Sequence, residues 1–409
     1  MKLVWKLAWR NIWRNRRRSI ITILAVTFAV MLSIAMRGIQ LGTYEVNIRH
    51  MVELFAGYLQ IQRNTYQTNP TLQKNFHVDE RIDSLLRGSP AIQASTPRIV
   101  GDGLVSYQEN SQGTVIYGVD PAGEAKVDKI VSRVVSGRFL TSSSGDEIVL
   151  GDKLMENLKA KLGDQVVVLA QGVDGSLGNL KYTIVGTVKT GLPDIDRSGA
   201  FIGLKAAQDL LVMWGRVNLI AVRLQDLSDI GPTITGLRDG LEGTTLIALP
   251  WNEIMPDFEQ SIRLDNVSGI LMLAILIIVV AFGITNTVLM SVTERFREFG
   301  IILSVGMPQR KLATLVALET LIIVVIGLVL GNILAYGINT YFMHNPIIFG
   351  GEYGKIYAEY GFLPRIESTI RLSSFLNTTL SVLGISVLAT LYPIAKVLKL
   401  EPLKGIRYT

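Results

Sequence analysis

The sequence predicts an α-helical membrane protein with four transmembrane helices and an α+β extracytoplasmic domain between helices 1 and 2. Three observations predict this fold class. Four mostly apolar segments of roughly 18 or more residues are long enough to cross a bilayer. Residues 41–262, between the first and second segments, contain no such stretch. Lysine and arginine crowd beside the apolar segments, as they do at the cytoplasmic ends of membrane spans.

Composition agrees with a membrane protein. Only 18% of the 409 residues are charged, whereas 49% are hydrophobic, so apolar residues are concentrated in part of the chain. The net charge of +6 could indicate a nucleic-acid partner, but the basic residues flank apolar segments, which favours the lipid bilayer as partner and no nucleic acid. The chain has no cysteine, which excludes disulfides, thiolate metal sites and a lipidated N-terminal cysteine.

Residues 1–18 are typical of an amphipathic helix lying at the membrane interface on the cytoplasmic side. One arc is apolar and contains three of the five tryptophans, and the other arc is polar. The apolar arc holds Val4, Trp5, Ala8, Trp9, Ile12 and Trp13, and the polar arc holds Lys6, Arg10, Asn11 and Arg14. Arg16, Arg17 and Arg18 then precede the first span, 19–40, which favours an uncleaved signal anchor over a cleaved signal peptide.

Residues 41–262 are predicted to form the α+β domain, in two lobes. Short β-branched and aromatic runs predict strands; they are Tyr58–Gln62, Thr114–Val119, Glu147–Leu150, Val166–Ala170, Tyr182–Val188, Ala200–Leu204, Leu219–Leu224 and Thr245–Leu249. Helical periodicity lies between them, in Asp152–Leu162, Lys205–Met213 and Asp226–Leu241.

The remaining spans are predicted at 263–290, 312–340 and 373–395. The segment 291–311 connects the second and third spans, a short loop at 341–372 connects the third and fourth, and 396–409 form a tail. Basic residues cluster before the first span, in 291–311 and after the fourth span. The positive-inside rule therefore predicts that both termini and 291–311 are cytoplasmic and that 41–262 lie outside the membrane.

The segment 291–311 is the one strongly charged short connection between two spans. On a helix, Glu294 and Glu298 share a face, and Glu294/Arg297 and Arg295/Glu298 are favourable three-residue pairs. An apolar stripe accompanies them, and a turn ends the helix before the next one starts at Gln309; the stripe is Phe296, Phe299 and Ile302, and the turn is Gly306-Met307-Pro308. A helix that binds a cytoplasmic partner and a solvated turn both fit this pattern.

Inside the third span, Glu319 is an acid within an apolar run, where a functional role is the first hypothesis. It lies about two turns from Lys311, close enough to the interface to favour helix packing or an interfacial role over transport chemistry. Gly327 and Gly331 permit close approach of another helix, and Asn286 in the second span can hydrogen-bond to a neighbour.

No catalytic constellation is present in the sequence. There is no phosphate-binding GxxxxGK[ST] loop, so the chain is not predicted to hydrolyse ATP. His50, His77 and His344 are scattered without metal-ligand spacing and are predicted to be structural. Asp194 and Asp196 stand in a Gly/Pro-rich loop, where they are predicted to cap a turn.

Five stretches resemble one family of membrane proteins. ERFREFGIILSVGMPQRKL is similar to the ERxREIGxxxAxGxxxxxI signature of the type VII ABC transporter permeases, which include the lipoprotein-release permeases, MacB and FtsX. LAWRNIWRNRRRSIITI and YPIAKVLKLEPLKGIRY resemble the family's two ends, and GVDPAGE and IVLGDKLMENLKAKLGDQVVV its MacB-like periplasmic core. The resemblance implies that 291–311 is the coupling helix, with these ATPase-contacting residues: Glu294, Arg295, Arg297, Glu298, Phe299, Gly300 and Gly306.

The resemblance further implies a non-catalytic permease subunit in a bacterial inner membrane. Two copies of a separate ABC ATPase would bind ATP and Mg²⁺, so this chain would carry no cofactor, and a second permease copy or homologue would complete the dimer. Lipoprotein release is the leading expectation, ahead of small-molecule or peptide export with an adaptor and of FtsX-like activation of a periplasmic hydrolase. The hairpin Ala170–Leu180 falls where lipoprotein-release permeases can carry a longer loop for a periplasmic carrier.

Overall fold

The computed structural model describes residues 2–359 and 362–399. The chain forms two compact units. The first, the helical unit, comprises Met1–Tyr44, Ile262–Ile347 and Arg365–Thr409; the second, the sheet unit, comprises Glu45–Ser261 and Ile348–Pro364. Lys404 and Arg407 of the predicted tail lie outside the described residues.

Fourteen α-helices are found in the described residues. They are α1 (Lys2–Arg14), α2 (Arg16–Met51), α3 (Glu80–Gly88), α4 (Pro121–Val127), α5 (Asp152–Leu158), α6 (Pro193–Ser198), α7 (Leu204–Leu210), α8 (Ile230–Gly240), α9 (Trp251–Ile254), α10 (Pro256–Glu294), α11 (Phe296–Ser304), α12 (Gln309–His344), α13 (Gly351–Glu359) and α14 (Leu372–Leu398). A π-helical turn, Val52–Ala56, follows α2 directly.

The described residues also hold fourteen strands. They are β1 (Leu59–Arg63), β2 (Phe76–His77), β3 (Ile92–Tyr107), β4 (Asn110–Val119), β5 (Val134–Gly137), β6 (Glu147–Gly151), β7 (Gln165–Gln171), β8 (Leu177–Val188), β9 (Gly199–Gly203), β10 (Arg216–Val217), β11 (Leu219–Leu224), β12 (Leu246–Pro250), β13 (Ile347–Ile348) and β14 (Arg365–Ile366). Ten of them form one mixed sheet in the order β12-β1-β11-β3-β4-β9-β6-β8-β5, with β7 pairing to both β3 and β8.

The sheet unit is α+β as predicted, but the expectation of two lobes is wrong. All eight predicted strands are present, and they belong to one sheet within one compact unit. The reason is β3, a 16-residue strand that was not predicted from the sequence. Its first half pairs with β11, and its second half pairs with β4 and β7, so this one strand joins the two halves of the sheet.

Burial explains why the sheet forms where it does. Side chains of β1, β4, β6, β8, β9 and β11 share one large apolar core with α5, α7 and α8. A second core lies around Phe201, whose ring stacks on Tyr117 with 5.0 Å between centroids. The predicted hairpin is present as β7 and β8, joined by residues 172–176.

Within the part of the chain that the structure describes, four helices are long and apolar enough to cross a membrane: α2, α10, α12 and α14. All four apolar segments predicted from the sequence are therefore helical. The helices overrun the predicted spans: α2 continues to Met51 and α12 continues to His344. Hydropathy marks where a helix leaves the hydrocarbon, whereas the helix itself continues until a residue breaks its hydrogen-bond pattern.

Two glycines set the packing of α12 against α2. A Cβ added at Gly327 would lie 2.7 Å from Val26 Cβ, and one added at Gly331 would lie 2.8 Å from Val30 Cβ. Because glycine has no side chain, the two backbones approach closely enough for Thr27 Oγ1 to donate to the Gly327 carbonyl at 3.3 Å. The structure thus places both predicted packing glycines at a helix–helix contact.

On α10, the interhelical hydrogen bond comes from the residue next to the one singled out in the sequence. Thr285 Oγ1 lies 3.3 Å from the carbonyl oxygen of Ala389 on α14. Asn286 is exposed on the other side of α10. A single-residue step around a helix is a rotation of about 100°, so neighbours in sequence face different surroundings.

Candidate functional site

The segment 291–311 consists of one short helix between two backbone breaks. Helix α10 ends at Glu294, and Arg295 leaves the helical conformation with φ −103° and ψ 10°. Helix α11 follows and is closed by Gly306, whose φ of 104° favours glycine. Pro308 then occupies the N-cap position of α12, which begins at Gln309 as the sequence predicts.

The break at Arg295 separates the two acids that were predicted to share one helical face. Glu294 is the last residue of α10, and Glu298 belongs to α11. Each carboxylate binds a different arginine of the N-terminal segment: Arg18 Nη2 lies 2.7 Å from Glu294 Oε1, and Arg14 Nη2 lies 2.5 Å from Glu298 Oε2. The two acids are therefore neutralised within this chain.

One of the two predicted three-residue ion pairs forms. Arg295 Nε donates to Glu298 Oε2 at 3.2 Å, whereas Glu294 pairs with Arg18 and Arg297 is exposed. Burial opposes ionisation of Glu298, but the guanidinium groups of Arg14 and Arg295 outweigh it and hold the pKa of Glu298 below its ordinary value.

A buried charge cluster fixes α11 from inside the helical unit. Arg295 Nη1 lies 3.1 and 3.2 Å from the two carboxylate oxygens of Glu319 on α12. The Asn11 amide of α1 donates to the same carboxylate at 2.6 Å. The side chains of Arg295 and Glu319 are only 8% and 13% exposed, so water screens their attraction little. Glu319 therefore binds two protein partners instead of extending toward the membrane surface.

Three large apolar residues of α11 face the same interior. Phe296, Phe299 and Leu303 are buried among α10 and α12 residues. The guanidinium of Arg295 lies 4.9 Å from the centre of the Phe299 ring, within cation–π range. Phe299 has no exposed surface, so its role in this chain is to hold α11 in place.

The opposite face of α11 and the turn after it are open. Ile301 is 51% exposed and Val305 is 84% exposed. The exposed arginines Arg297 and Arg310 stand on either side of them in sequence. We call these four residues the outer face of α11, a name that includes Val305 at the end of the helix and Arg310 at the start of α12. An apolar centre between cations is complementary to a partner groove with an apolar floor and acidic rims.

Helix α1 presents its tryptophans outward and packs by its smaller residues. Trp5, Trp9 and Trp13 are each about half exposed, while Ala8 and Ile12 are buried. The placement of Asn11 on the outward polar arc is wrong, because its side chain points inward and binds Glu319. Of the arginines after α1, Arg16 and Arg17 are exposed, and Arg18 is bound to Glu294. The half-exposed tryptophans suit the headgroup layer of a membrane.

The three histidines and Asp196 are held in structural contacts. In residues 2–359 and 362–399, no three His, Asp or Glu side chains are grouped so as to hold a metal ion. The three histidines form hydrogen-bond contacts with protein groups: His50 with the Arg133 side chain, His77 with the Gly215 carbonyl and His344 with the Thr340 carbonyl. Asp196 accepts hydrogen bonds from the backbone amides of Thr190 and Gly191, which is the turn-capping role predicted for it.

A buried ionic cluster in the sheet unit was not predicted from the sequence. Arg98 on β3 binds Glu124 of α4 at 2.7 and 2.8 Å, and it also binds Asp128 and the Phe55 carbonyl. Burial and the neighbouring Glu124 raise the pKa of Asp128 to about 8, although Arg98 acts in the opposite direction. The available signals were an arginine within the apolar strand PRIV and two acids four residues apart in EAKVD.

Comparison with known proteins places both units in one family. The family model of the MacB-like periplasmic core domain matches residues 19–239, and the model of the FtsX-like permease C-terminal domain matches residues 270–402. The first match covers more than half of the chain.

Full-length relatives agree. The chain is 24% identical to the lipoprotein-releasing system transmembrane protein LolC of Neisseria meningitidis serogroup B, over 94% of this chain and 95% of that protein. It is 21% identical to the lipoprotein-releasing system transmembrane protein LolE of Haemophilus influenzae, over 92% of each. It is 24% identical to the macrolide export ATP-binding/permease protein MacB of a Shewanella species, over 78% of this chain and 47% of that protein. The chain therefore belongs to the type VII ABC transporter permease family, with a MacB-like periplasmic core domain and an FtsX-like permease C-terminal domain.

Proposed function

We propose that this chain is the non-catalytic membrane subunit of an ABC transporter that releases lipoproteins from the inner membrane of a bacterium. A separate ATPase docks on the outer face of α11, two ATPase copies serve a dimer of permeases, and nucleotide binding displaces α11. The displacement reaches the spans and alters the periplasmic core domain. The chain itself binds neither ATP nor Mg²⁺.

The proposed ATPase contact is supported by the exposure of the outer face of α11. Every other large apolar side chain of α11 except the half-buried Ile302 is buried within the chain, whereas Ile301 and Val305 remain exposed. The described helices thus leave about half of Ile301 and most of Val305 uncovered on a charged connection between two spans. A cytoplasmic ATPase with a complementary groove covers them, and burial of both side chains would contribute roughly 3 kcal/mol to docking.

The lipoprotein substrate is supported by the relatives. The chain aligns over nearly its whole length with LolC and LolE, whose names describe a lipoprotein-releasing system. The MacB relative is longer than this chain, and its name includes an ATP-binding part; the match covers only 47% of it. LolC and LolE, which are transmembrane proteins by name, are therefore better counterparts of this chain than MacB.

The orientation follows from the basic clusters and is testable in a chain without cysteine. The positive-inside rule places both termini and α11 in the cytoplasm. Single cysteines at the exposed positions Ser111 and Ser304 can be labelled with a membrane-impermeant thiol reagent. We expect labelling of Ser111→Cys in intact spheroplasts and of Ser304→Cys only after lysis. The reverse pattern would refute the orientation.

Docking is tested by site-specific photo-crosslinking. Val305→Cys carrying a benzophenone maleimide should crosslink to the cognate ATPase after reconstitution in nanodiscs. Val135→Cys is the matched control, since Val135 is an exposed valine of the sheet unit. Crosslinking of both variants, or of neither, would contradict docking on α11.

The substrate is tested by stimulation of ATP hydrolysis. The reconstituted complex should hydrolyse ATP faster with a triacylated lipoprotein than with the same protein lacking its acylated cysteine. The purified permease alone should not hydrolyse ATP. Equal stimulation by the acylated and non-acylated proteins would exclude lipoprotein release as the function.

A further inference from the structure

Helix α11 is attached to the rest of the helical unit in two different ways. The chain links it to α10 through Arg295 and to α12 through residues 305–308. Side chains link it to α12 through Glu319 and to α1 through Arg14. The mechanical behaviour of α11 depends on which of these links are stiff.

The chain links have the geometry of hinges. At Arg295 the backbone leaves the helical conformation, so the hydrogen-bond ladder of α10 does not continue into α11. After α11, Gly306 adopts a left-handed conformation and Pro308 starts a new helix. A few non-helical residues at the ends of helices are where rigid elements rotate relative to one another.

The side-chain links are short, charged and largely buried. Arg295 Nη1 contacts both oxygens of Glu319, and Asn11 donates to the same carboxylate. Arg295 Nε reaches Glu298, which also binds Arg14. Hydrogen bonds between oppositely charged groups are stronger than neutral ones, and burial of Arg295 and Glu319 protects theirs from water.

The distribution of these links is uneven among the helices. Arg295, the N-cap residue of α11, pairs with Glu319 of α12, and Asn11 and Arg14 add α1 to the same network. Glu294 of α10 instead pairs with Arg18, outside this network, and that pair is partly exposed. The charged side-chain contacts of α11 therefore reach α12 and α1 and not α10, which α11 meets through apolar packing.

We propose that Glu319 is a positioning residue that makes α1, α11 and α12 one rigid body, which rotates against α10 about Arg295. A push on α11 then moves the third span and the tryptophan-bearing helix α1 together, and the second span moves relative to them. The source of the push rests on the proposed function, whereas the rigid joint itself does not.

Distances between spin labels test the joint, because the native chain has no cysteine. One label pair joins α11 to α12, at Ser304→Cys and Val329→Cys; the other joins α11 to α10, at Ser304→Cys and Phe282→Cys. All three positions are exposed. Pulsed electron–electron double resonance on the permease alone in nanodiscs should give a narrow distance distribution for the α11–α12 pair. Glu319→Gln should broaden that distribution.

Glu294→Gln is the matched control, since the same change removes a carboxylate from α10 and should leave the α11–α12 distribution narrow. Glu319→Asp keeps the charge, so its α11–α12 distance distribution should remain partly narrow. This variant can be measured even if Glu319→Gln inserts poorly. A distribution that neither Glu319 variant alters, or that Glu294→Gln broadens equally, would overturn the joint.

The second arm adds the ATPase and trapped ATP. In the parent, the α11–α10 distance should shift between nucleotide-free and ATP-bound states, while the α11–α12 distance stays constant. Equal shifts in both pairs would overturn the rigid body. If the Glu319 variants broaden the α11–α12 pair but ATP shifts neither distance, the joint stands and the proposed coupling to an ATPase fails.

Discussion

Arg295 and Glu319, twenty-four residues apart in the chain, form a nearly buried ion pair in which one guanidinium nitrogen contacts both carboxylate oxygens. Their pairing could not be predicted from the sequence, because Arg295 follows the second predicted span and Glu319 lies inside the third. Together they determine where α11 lies. Their removal one at a time therefore has a different effect from their removal together.

Arg295→Met should destabilise the helical unit by about 3–5 kcal/mol, because it leaves the Glu319 carboxylate buried without its cation. Adding Glu319→Leu should recover most of that loss, since an apolar pair replaces a buried ion pair at little cost. Thermal unfolding in detergent, followed by tryptophan fluorescence, measures both variants. Arg297→Met is the control and should change stability by about 1 kcal/mol or less, because Arg297 is exposed. A double variant as unstable as Arg295→Met would contradict the assignment.

Local secondary structure could be predicted from the sequence, whereas contacts between segments far apart in the chain could not. Gln309 as the start of α12 and the eight strands follow from proline, glycine and side-chain alternation, which act over a few residues. The role of Asn11 could not be predicted, because helical periodicity places it on a polar arc while its partner is 308 residues away.

The strand β3 shows the same limit. It contains Gly101, Asp102 and Gly103, which are unfavourable in strands and hid it from propensity. In the folded unit, Gly103 is required because an added Cβ would lie 2.4 Å from Ile116 Cδ1 and 2.8 Å from the Leu169 carbonyl. Packing between strands therefore overrides local preference at this position.

The glycine contact between α12 and α2 gives a matched pair of substitutions on one helix. Gly327→Ala should destabilise the helical unit by about 1–3 kcal/mol, because its Cβ would overlap Val26 and force the helices apart. Gly337→Ala should be neutral or stabilise by up to about 1 kcal/mol, since no atom lies within 4 Å of its Cβ and alanine is the better helix former. Thermal unfolding distinguishes them, and equal effects would show that the close approach is unimportant.

The buried cluster around Arg98 makes the stability of the sheet unit fall as pH rises from the acidic range to about 8. The pKa of Asp128 is raised to about 8 in the folded chain, mainly by burial and then by Glu124. A raised carboxyl pKa means that the folded state holds a proton that the unfolded state has released. Stability is therefore greatest below the unfolded pKa and is lost as pH rises toward about 8, by up to about 1.4 kcal/mol per pH unit.

Asp128→Asn should remove this dependence, because an amide cannot ionise. Hydrogen-exchange protection of β3 and α4, compared between variant and parent at each pH from 6 to 9, provides the measurement. Asp239→Asn, a change at an exposed aspartate of α8, should keep the parent's behaviour. If protection in the parent does not fall with rising pH relative to Asp128→Asn, the cluster does not hold the extra proton.

The two faces of α11 should separate stability from partner binding. Phe299 is fully buried within the chain, so Phe299→Ala should lower the free energy of unfolding by about 3–5 kcal/mol through loss of packing. Val305 is 84% exposed, so Val305→Asp should leave unfolding nearly unchanged. It should nevertheless weaken association with the ATPase by about tenfold or more, because a charge at the centre of an apolar contact costs over 1 kcal/mol.

Two half-exposed isoleucines also allow ATPase association to be separated from stability. Ile301→Ala should weaken ATPase association without lowering the unfolding temperature, whereas Ile356→Ala on α13 should change neither, although both side chains are about half exposed. Co-purification of the ATPase and thermal unfolding of the same preparations give the two readouts. If Phe299→Ala alone disturbs the ATPase while Val305→Asp and Ile301→Ala bind like the parent, the ATPase does not dock on the outer face of α11, and the helix acts only as a packed connection between the second and third spans.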